Sequence, residues 1–504
     1  MKICLTIISL LSFLCAHAWA AAIPKFESKS DADHQIQLLE DGSAALEARL
    51  QLIENAEQFI ILETFIYDID EAGSWIARAL VEKKKQNPNI RIRLLVDSVP
   101  MRKTIDAYVD REFKKYGIEV KLYNQHASLS FVRLNVRNHR KIIASEKELI
   151  TGSRNIANDY YYLAKSNNFI DRDIRIRGPI NDSILETFEA FWLSENSTEI
   201  KTEDFPNMND FRSEDTKISY EYSKPLPTDS GPDVYRYNQA IEAYDMNTLK
   251  AEVFVSNLHS SDQSRQYLAT VRAAGKRALS KQPVFPINKI RFVSDGPDWV
   301  KQSETITGTI LLEDISKTKS RLMIENGYII PDSESWKMFK KLMADGKKIM
   351  ILTNSRKASR REFVVNALTQ VHAKNFAANG ANIYLYSGDP MPMDENPIPQ
   401  MTQGSRYNTH AKTYVIDETS CMIGTANFDP RSLRRMNAEL ALLIDNADFC
   451  QHVARMILWR AGNGHRMDTN GEIPPDIDAN DVESIQQRLL LLMVPMIRIF
   501  ERWF

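Results

Sequence analysis

The chain has 504 residues, 43% of them hydrophobic, and a formal net charge of −2. This length predicts two domains of ordinary size, each with enough apolar residues for its own core. The near balance of charge argues against bulk binding of nucleic acid, which favours strongly basic domains.

Residues 1–22 have the pattern of a secretory signal peptide. Lys2 precedes an apolar run from Ile3 to Cys15, and Ala18 and Ala20 satisfy the small-residue rule for cleavage. The run is too short to span a bilayer comfortably. We therefore expect cleavage near Ala20 and export to the periplasm or out of the cell, with an uncleaved membrane anchor as the alternative.

Residues 23–215 are predicted to form a first α/β lobe, because apolar strands alternate there with helical segments. The predicted order is a helix capped near Ser43, a strand from Phe59 to Tyr67, a helix from about Ser74 to Lys85, a strand from Ile90 to Val96, a helix before Gly117, and a strand from Ile118 to Tyr123. The lobe then continues into a run of polar side chains.

This polar run contains His139 and Lys141 two residues apart, so both point to the same side of an extended strand. Glu146 follows five residues after the lysine, and a Gly-Ser-x-Asn turn then presents Ser153 and Asn155. An imidazole, an ammonium, a hydroxyl and a carboxamide that converge in this way suit an anionic tetrahedral group such as a phosphate.

The middle of the chain, from about Glu199 to Asn247, is polar and rich in turn residues, so residues 216–285 are predicted to be linker and surface elaboration. The segment from Ala251 to Pro297 has helical and strand character and is expected to belong to the second lobe. That lobe is predicted at residues 286–470.

The second lobe repeats the order of the first. Its predicted elements are a strand from Arg321 to Ile330, a helix around Ser333 to Met343, a strand from Lys348 to Leu352, a helix near Arg361 to Ala378, and a strand from Ile383 to Tyr386. Three strands in the same order and at similar spacing indicate an internal duplication.

The polar pattern returns at the corresponding place of the second lobe. His410 and Lys412 are again two residues apart, Asp417 again follows five residues after the lysine, and a Gly-Thr-x-Asn turn presents Thr425 and Asn427. Asp417 is predicted to lie in the turn of a short hairpin. Two copies at the same place of a repeated unit argue strongly against a chance surface pair.

His-x-Lys-x4-Asp followed by Gly-Ser/Thr-x-Asn resembles the signature of the phospholipase D superfamily. The second copy matches fully, and the first carries Glu146 in place of Asp. The likeness covers most of residues 36–465. Within the superfamily, the stretch from Asn427 to Ser432 and the region from Phe131 to Trp192 look most like bacterial cardiolipin synthases and related phosphatidyltransferases.

The resemblance implies two tandem α/β lobes related by a pseudo-twofold repeat, with both motifs facing one active site at their interface. It also implies a reaction without metal or cofactor, in which one His attacks a phosphodiester phosphorus and the other protonates the leaving alcohol. Water or a second alcohol would then release the phosphohistidine. Family analogy assigns His139 as nucleophile and His410 as acid and base, although the sequence alone does not order them.

The remaining motif residues have supporting roles in this interpretation. Stabilisation of charge on the pentacoordinate phosphorus is assigned to Lys141, Lys412, Ser153, Thr425, Asn155 and Asn427. The two lysines and the two asparagines are also expected to bind substrate. Asp417 and Glu146 lie in the hairpin turns and are expected to brace the fold, so Glu at 146 affects local geometry more than chemistry.

Each imidazole also needs an acid that orients it. Glu439 lies 29 residues after His410, and Asp171 lies 32 residues after His139. Both acids precede an apolar strand, so they occupy equivalent places in the repeat. Asp173 is the alternative in the first lobe.

Two further features concern the protein's surroundings. Cleavage would leave Cys421 and Cys450, which export would allow to form a disulfide, although two separate buried thiols are an equal alternative. The tail at residues 471–504 is strongly apolar with scattered arginines. Such a tail suits an interfacial membrane helix or a helix docked on the protein's own core.

The leading functional hypothesis is a phospholipase D-like phosphodiesterase or phosphatidyltransferase that acts on membrane phospholipids, with water or an alcohol as acceptor. An exported nuclease of the same superfamily is the alternative, but such nucleases tend to be single-motif, dimeric and basic. This argues against nucleic acid as a partner. Because one chain holds both motifs, a monomer suffices for a complete site. Both intact His/Lys pairs argue against a non-enzymatic lipid-binding relic.

Overall fold

The computed structural model describes residues 26–98, 105–125, 136–211, 232–256, 262–297, 305–358, 363–388, 404–468 and 470. The predicted signal peptide at 1–22 and the predicted apolar tail at 471–504 lie outside these residues, as do residues 216–231 and 257–261 of the predicted linker. Within the described ranges, no helix combines the length and apolarity needed to cross a membrane.

The elements alternate as the sequence predicts. In chain order the strands are β1 (Glu27–Ser30), β2 (His34–Leu39), β3 (Phe59–Thr64), β4 (Arg91–Asp97), β5 (Glu119–Tyr123), β6 (Arg137–Asn138), β7 (Ile142–Ser145), β8 (Leu149–Gly152), β9 (Asn167–Ile170), β10 (Asp173–Arg177), β11 (Ser197–Glu199), β12 (Val284–Ile287), β13 (Ile290–Ser294), β14 (Arg321–Asn326), β15 (Lys348–Asn354), β16 (Asn382–Tyr386), β17 (Arg406–Thr409), β18 (Lys412–Ile416), β19 (Ser420–Gly424), β20 (Asn437–Ala438), β21 (Leu440–Asp445) and β22 (His465–Arg466). The helices are α1 (Gly42–Asn55), α2 (Glu71–Gln86), α3 (Ala107–Lys115), α4 (Ile180–Leu193), α5 (Pro232–Val255), α6 (Asp262–Lys281), α7 (Ile306–Ser316), α8 (Ser333–Ala344), α9 (Phe363–Ala378) and α10 (Ala447–Gly462), with short helical turns at Asn158–Tyr160, Met208–Asp210 and Arg431–Arg435.

Aspartates start several of these helices. Asp41 Oδ1 accepts a hydrogen bond from Ala44 N at 2.8 Å, so the first helix is capped by Asp41 and not by the nearby Ser43. Asp70, Asp106 and Asp332 make the same bond at α2, α3 and α8. Such caps satisfy an N–H group that has no partner within the helix.

The two sheets follow one plan. Among the described residues each has nine strands, in the order β11-β5-β4-β3-β7-β8-β10-β2-β12 and, read from the opposite end, β22-β16-β15-β14-β18-β19-β21-β13-β1. In both sheets three parallel strands, β3-β4-β5 and β14-β15-β16, adjoin an antiparallel set. The predicted duplication into two α/β lobes is therefore confirmed.

The lobes exchange their edge strands. β1, from the start of the described chain, pairs with β13 at the edge of the second sheet, whereas β12 pairs with β2 at the edge of the first. A shared hydrophobic core also joins the lobes, and it includes Ile176 of β10, Phe188 of α4, Ile423 of β19 and Ile457 of α10. The two lobes are thus one interlocked body.

The expectation that the segment from Ala251 to Pro297 belongs to the second lobe is wrong for most of its length. Helix α6 packs against α1, where Arg272 pairs with Glu47 at 2.8 Å and with Glu54 at 2.6 Å. A Cβ added to Gly275 of α6 would lie 2.4 Å from a backbone oxygen of α1, so the helices are in close contact. The chain joins the second sheet only from β13 onward. The segment before it belongs with the first lobe because α6 packs against α1.

The two cysteines that lie after the predicted signal peptide form a disulfide between β19 and α10. Cys421 and Cys450 are both buried, and their Cα atoms are 5.5 Å apart. This decides between the two alternatives that the sequence left open.

Candidate active site

The two motif histidines lie at the boundary between the lobes. Pairs of short parallel strands cross this boundary on each side, since β6 pairs with β20 and β9 pairs with β17. The backbone N–H of His139 donates to Ala438 O at 2.9 Å, and that of His410 donates to Ile170 O at 2.8 Å. Each histidine is therefore bound to the residue directly before an acid of the other lobe.

Each imidazole is hydrogen-bonded to the acid of the opposite lobe. His139 Nδ1 lies 3.0 Å from Glu439 Oε2, and His410 Nδ1 lies 2.8 Å from Asp171 Oδ2. All four side chains are buried. An acid on Nδ1 orients the ring and leaves Nε2 as the atom that can react. The sequence identified both acids, but their exchange between the lobes appears only in the structure.

Asp173, the alternative acid in the first lobe, does not orient a histidine among the described residues. Its Oδ2 pairs with Arg49 at 2.8 Å and with Arg154 at 3.3 Å. Asp173 therefore compensates two buried guanidinium groups inside the first lobe.

Ser153 and Thr425 support the orienting acids. Ser153 Oγ donates to Asp171 Oδ1, and Thr425 Oγ1 donates to Glu439 Oε2. This approach needs glycine before the serine, because a Cβ on Gly152, whose φ is +151°, would lie 2.5 Å from the backbone just before β10. A hydroxyl has a single proton to donate. In this structure both hydroxyl groups donate to the orienting acids, whereas the sequence assigned these residues to the stabilisation of charge on the phosphorus.

Lys141 and Lys412 are buried beside their own histidines. Lys141 Nζ donates to His139 O at 2.6 Å, and Lys412 Nζ donates to His410 O at 2.7 Å and lies 3.1 Å from His410 Nε2. Burial lowers the pKa of Lys141 to about 7. A bound anion would favour its ammonium form and so counteract the effect of burial.

The two motif asparagines have different surroundings. Asn155 Oδ1 accepts from Ile66 N at 3.2 Å, and Asn155 Nδ2 donates to Tyr160 Oη at 2.7 Å. Asn427 Oδ1 is buried without a hydrogen-bond partner in the part of the chain that the structure describes. Asn155 thus stabilises the first lobe, while the amide oxygen of Asn427 could accept a hydrogen bond from an alcohol or from water.

The two acid–histidine pairs also differ in charge. Burial raises the pKa of Glu439 to about 7. Although burial alone would raise the pKa of Asp171, the nearby His410 and Lys412 hold it below its ordinary value. Burial lowers the pKa of His410 to about 4 and that of His139 well below 6.5. Near pH 7 both imidazoles are neutral, Asp171 is ionised, and Glu439 is close to half-protonated.

The motif acids brace the hairpins. Asp417 accepts hydrogen bonds from the backbone N–H groups of residues 319–321 at 2.8–2.9 Å. Glu146 accepts from the N–H groups of Glu57 and Gln58 at 2.8 and 3.1 Å. In each lobe the turn is thereby tied to the chain that enters the central strand, β14 or β3, and the longer Glu side chain makes the same kind of contact as Asp.

Sequence reasoning missed two buried glutamates beneath the motifs. Glu63 Oε1 accepts from Asn138 Nδ2 at 2.7 Å, and Glu325 Oε1 accepts from Thr409 Oγ1 at 2.9 Å. Asn138 and Thr409 directly precede the motif histidines. The signal was present, because both glutamates stand at the same position of the duplicated apolar strand, in β3 and β14.

Aromatic rings enclose both imidazoles and were also missed. The ring of Phe65 lies 4.9 Å from that of His139, and the rings of Tyr160 and Phe169 lie 5.3 and 5.1 Å from that of His410. Nothing in the sequence separates these residues from ordinary core aromatics. They limit the access of water to the rings, which strengthens electrostatic interactions in the site.

The arrangement brings together two buried neutral imidazoles and two buried lysines, since both lysines and His410 act electrostatically on His139. These groups can bind a phosphate-like anion, attack it and transfer protons. The described residues include no group of three or more His, Cys, Asp or Glu side chains that could hold a metal ion.

Comparison with known proteins identifies the family. The model of the family described as "Cardiolipin synthase, PLD-like domain" matches residues 50–192 and 311–459, so that each match contains one His/Lys pair. An uncharacterized protein of Helicobacter pylori is 26% identical over 429 residues, which cover 82% of this chain and 77% of that protein. Cardiolipin synthase C of Escherichia coli is 23% identical over 441 residues, 83% of each chain.

A solved structure has the same fold. The crystal structure of phosphatidylserine synthase from Haemophilus influenzae superimposes with a TM-score of 0.60 at 14% identity, over 93% of this chain and 95% of that one. The family matches at 50–192 and 311–459 make up more than half of the 504 residues. The chain therefore belongs to the cardiolipin synthase, PLD-like domain family and is a phosphodiesterase or phosphatidyltransferase of the phospholipase D superfamily.

Proposed function

We propose that this enzyme acts on membrane phospholipids through a covalent phosphohistidine, transferring a phosphatidyl group to an alcohol or to water. The observation that carries the proposal is the reciprocal pairing of His139 with Glu439 and of His410 with Asp171. It leaves two reactive Nε2 atoms in one buried site. One phosphodiester can then meet a nucleophile on one side and a proton donor on the other.

The charges of the pairs support His139 as nucleophile. The pKa of Glu439 is about 7, so this acid favours an imidazolium less than an ionised carboxylate does, and His139 stays neutral. The ionised Asp171 suits His410 for carrying a proton. His139 Nε2 would attack phosphorus, and His410 would give its proton to the departing alcohol oxygen. His410 would then take a proton from the acceptor as its oxygen displaces His139.

The substrate's own negative charge explains how His410 can hold a proton in a site where its pKa is about 4. Burial and the adjacent Lys412 lower this pKa in the free protein. A phosphodiester anion bound between the histidines would raise it, because an opposite charge within a few ångströms favours the charged form. Substrate binding would therefore favour protonation of His410, which is the acid in the first step.

Phospholipid is the substrate class that the comparisons favour. The named relatives are a cardiolipin synthase and, by fold, a phosphatidylserine synthase. The formal charge of −2 does not suit a nuclease, whose substrate needs an extended basic surface. Since both motifs belong to one chain, a monomer would be sufficient.

Lipid analysis tests this proposal. The protein would be incubated with vesicles of phosphatidylglycerol or phosphatidylethanolamine, with and without ethanol as an acceptor that neither lipid contains, and the products measured by mass spectrometry. We expect phosphatidic acid, or a new phosphatidyl ester when an alcohol acceptor is supplied. Cleavage of single-stranded DNA without lipid turnover would instead support the nuclease alternative.

The covalent step has a separate test. His139→Ala and His410→Ala should both abolish turnover, while only the variant that keeps the nucleophile can accumulate labelled protein after acid-free quenching with radiolabelled lipid. Label in His410→Ala and none in His139→Ala would support the proposed roles, and the reverse pattern would exchange them.

Export is also proposed. It rests on the signal-peptide pattern of residues 1–22 and on the Cys421–Cys450 disulfide, since disulfides persist mainly in oxidising compartments. N-terminal sequencing of the protein from its native host tests this, because an intact Met1 on a protein in the cytoplasmic fraction would contradict it.

Contact of the tail at 471–504 with the membrane surface is a further expectation, which a comparison of vesicle binding with and without the tail would decide.

A further inference from the structure

Beneath His410 lies a closed ring of four buried ionic side chains that the chemistry above does not use. Arg172 pairs with Glu40 at 2.6 Å and with Glu325 at 3.0 Å. Arg460 pairs with Glu325 at 2.8 Å and closes the ring through a short contact to Glu40. Each carboxylate thus bridges both guanidinium groups. The four side chains are at most 1% exposed, and their charges cancel.

The ring joins both lobes. Glu40 follows β2, and Arg172 lies between β9 and β10, so these two residues come from the first lobe. Glu325 in β14 and Arg460 in α10 come from the second. Because each lobe supplies one acid and one arginine, the ring is complete only when the lobes are docked in this orientation.

The ring also touches the residues on either side of the Asp171–His410 bond. Arg172 directly follows Asp171, and its backbone N–H donates to Asp171 Oδ1 at 3.0 Å. Thr409 directly precedes His410 and donates from Oγ1 to Glu325 Oε1 at 2.9 Å. A displacement of Arg172 would therefore move its chain neighbour Asp171. A displacement of Glu325 would move Thr409 and, through the peptide bond, His410.

The other histidine has no such support among the described residues. Near His139, Glu63 pairs with Arg140 at 3.2 Å, and both belong to the first lobe. On the Glu439 side, Asp295 accepts from Glu439 N at 3.0 Å. The structural repeat thus holds its two halves by different means: among the described residues, a closed ring of ion pairs across the lobe boundary is found on the His410 side, whereas on the His139 side Arg140 interacts electrostatically with Asp295 without closing a ring.

We propose that the ring holds the Asp171–His410 pair in its reactive position, and that Arg460, whose described ion pairs are with Glu40 and Glu325 only, is a positioning residue for His410. The expected effect on kcat rests on the proposed function, whereas the expected effect on the position of His410 does not. A buried pair that loses one partner leaves an uncompensated charge and rearranges. Displacement of a reacting group by about 1 Å can cost about a hundredfold in rate.

The test variant is Arg460→Met, with Arg175→Met as matched control. Arg175 lies on β10 and pairs with Glu148 through two contacts, at 2.8 and 2.5 Å, with both side chains buried, but it has no link to a catalytic pair. Each variant removes one buried arginine, which pairs with two glutamates in the case of Arg460 and with one in the case of Arg175. We expect kcat of Arg460→Met to fall roughly ten- to a hundredfold with little change in KM, and kcat of Arg175→Met to stay within about twofold of the unaltered enzyme.

A second readout does not depend on the substrate. In protein labelled with ¹⁵N-histidine, Arg460→Met should shift the Nδ1 resonance of His410 and leave that of His139 in place, with assignments from His410→Gln and His139→Gln. Arg175→Met should shift neither. If the enzyme proves inactive on every lipid, these resonances still test the ring. Equal shifts at both histidines, or an unshifted His410 together with unchanged kcat, would overturn the proposal.

A charge-balanced variant covers the case in which Arg460→Met does not fold. Glu40→Gln combined with Arg460→Met removes one charge of each sign and leaves the Arg172–Glu325 pair intact. It should fold and still show the selective His410 shift, because the ring is open. Arg460→Lys should give an intermediate loss of kcat, since an ammonium keeps the charge without the planar fork that bridges two carboxylates. If the double variant keeps the kcat and the His410 Nδ1 resonance of the unaltered enzyme, the proposal is wrong.

Discussion

Asp171 and Glu439 perform the same geometric task in different states of charge. Both accept from the Nδ1 of a histidine across the lobe boundary, at 2.8 and 3.0 Å. Burial raises the pKa of Glu439 to about 7, whereas His410 and Lys412 overcome the effect of burial at Asp171 and keep its pKa low. Neutral-pH substitutions by the corresponding amides should therefore have unequal effects.

Asp171→Asn should reduce kcat by about a hundredfold or more. The amide cannot stabilise a protonated His410, and it can also hold the ring in the wrong tautomer. Asp171 stays ionised throughout the neutral range. The ratio of kcat of Asp171→Asn to kcat of the unaltered enzyme should therefore not change between about pH 6 and pH 8. Steady-state lipid turnover at several pH values measures this ratio, and a ratio that falls steeply toward pH 6 would contradict the assigned charge.

Glu439→Gln should behave differently. The amide resembles the protonated acid, which becomes the main form of Glu439 as pH falls below about 7. The loss of kcat should therefore be largest above pH 7 and should shrink as pH is lowered. The same titration as for Asp171→Asn tests it. A loss that is independent of pH would show that Glu439 is ionised across the range.

The buried His410 should also make the folded state sensitive to acid. Its pKa is about 4 in the folded protein against 6.5 ordinarily. Between these values the unfolded chain binds a proton that the folded chain does not, so stability falls as pH is lowered from 7 toward 4. At pH 5 the cost is roughly 2 kcal/mol. Urea unfolding at pH 7 and pH 5 measures the loss of unfolding free energy between these pH values. This loss should be smaller by about that amount in His410→Gln than in the unaltered protein, and equal losses would contradict the lowered pKa of His410.

At the scale of elements, the disulfide connects the second motif to the helix behind it. Cys421 lies in β19, whose end leads directly into the turn that carries Thr425 and Asn427. Cys450 lies in the first turn of α10, 29 residues further along the chain. The bond thus ties the strand that presents the turn to a helix that contributes Arg460 to the ionic ring.

Removing this crosslink should destabilise the protein without rearranging the site. For a loop of 29 residues, the loss of unfolded-chain entropy that the disulfide imposes corresponds to roughly 3 to 4 kcal/mol. Cys421→Ala combined with Cys450→Ala should lower the free energy of unfolding by an amount of that order. A reductant should lower the stability of the unaltered protein and leave that of the variant unchanged. Sensitivity of the variant to reductant would place the effect elsewhere.

How far the elements could be predicted depended on whether the information was local. The strands and the His139 and His410 motifs were readable because periodicity and spacing lie within a few residues, and the repeat then exposed Asp171 and Glu439. The exchange of these acids was not readable, since it depends on contacts such as that of His139 with Glu439, 300 residues apart. The same reason explains α6, whose apolar face could have been covered by either lobe.

At the scale of the whole molecule, the duplication produces one site and not two. Each half places its histidine against the acid of the other half, and the edge strands β1 and β12 are exchanged as well. An isolated lobe would present a histidine without its acid and an acid without its histidine. The unit of function is therefore the complete chain, and separation of the lobes would disrupt both pairs at once.

Mixing of inactive variants tests whether one chain holds the whole site. His139→Ala and His410→Ala each lack one half of the chemistry, and if both halves belong to the same chain, a mixture of the two proteins contains no intact site. Turnover by the mixture, even after joint unfolding and refolding, should equal the mean of the two separate values. Sites shared between two chains would restore activity to about a quarter of the unaltered level, because random pairing would place intact halves together. A mixture of unaltered protein with His139→Ala serves as the control, and its turnover should follow the unaltered fraction linearly.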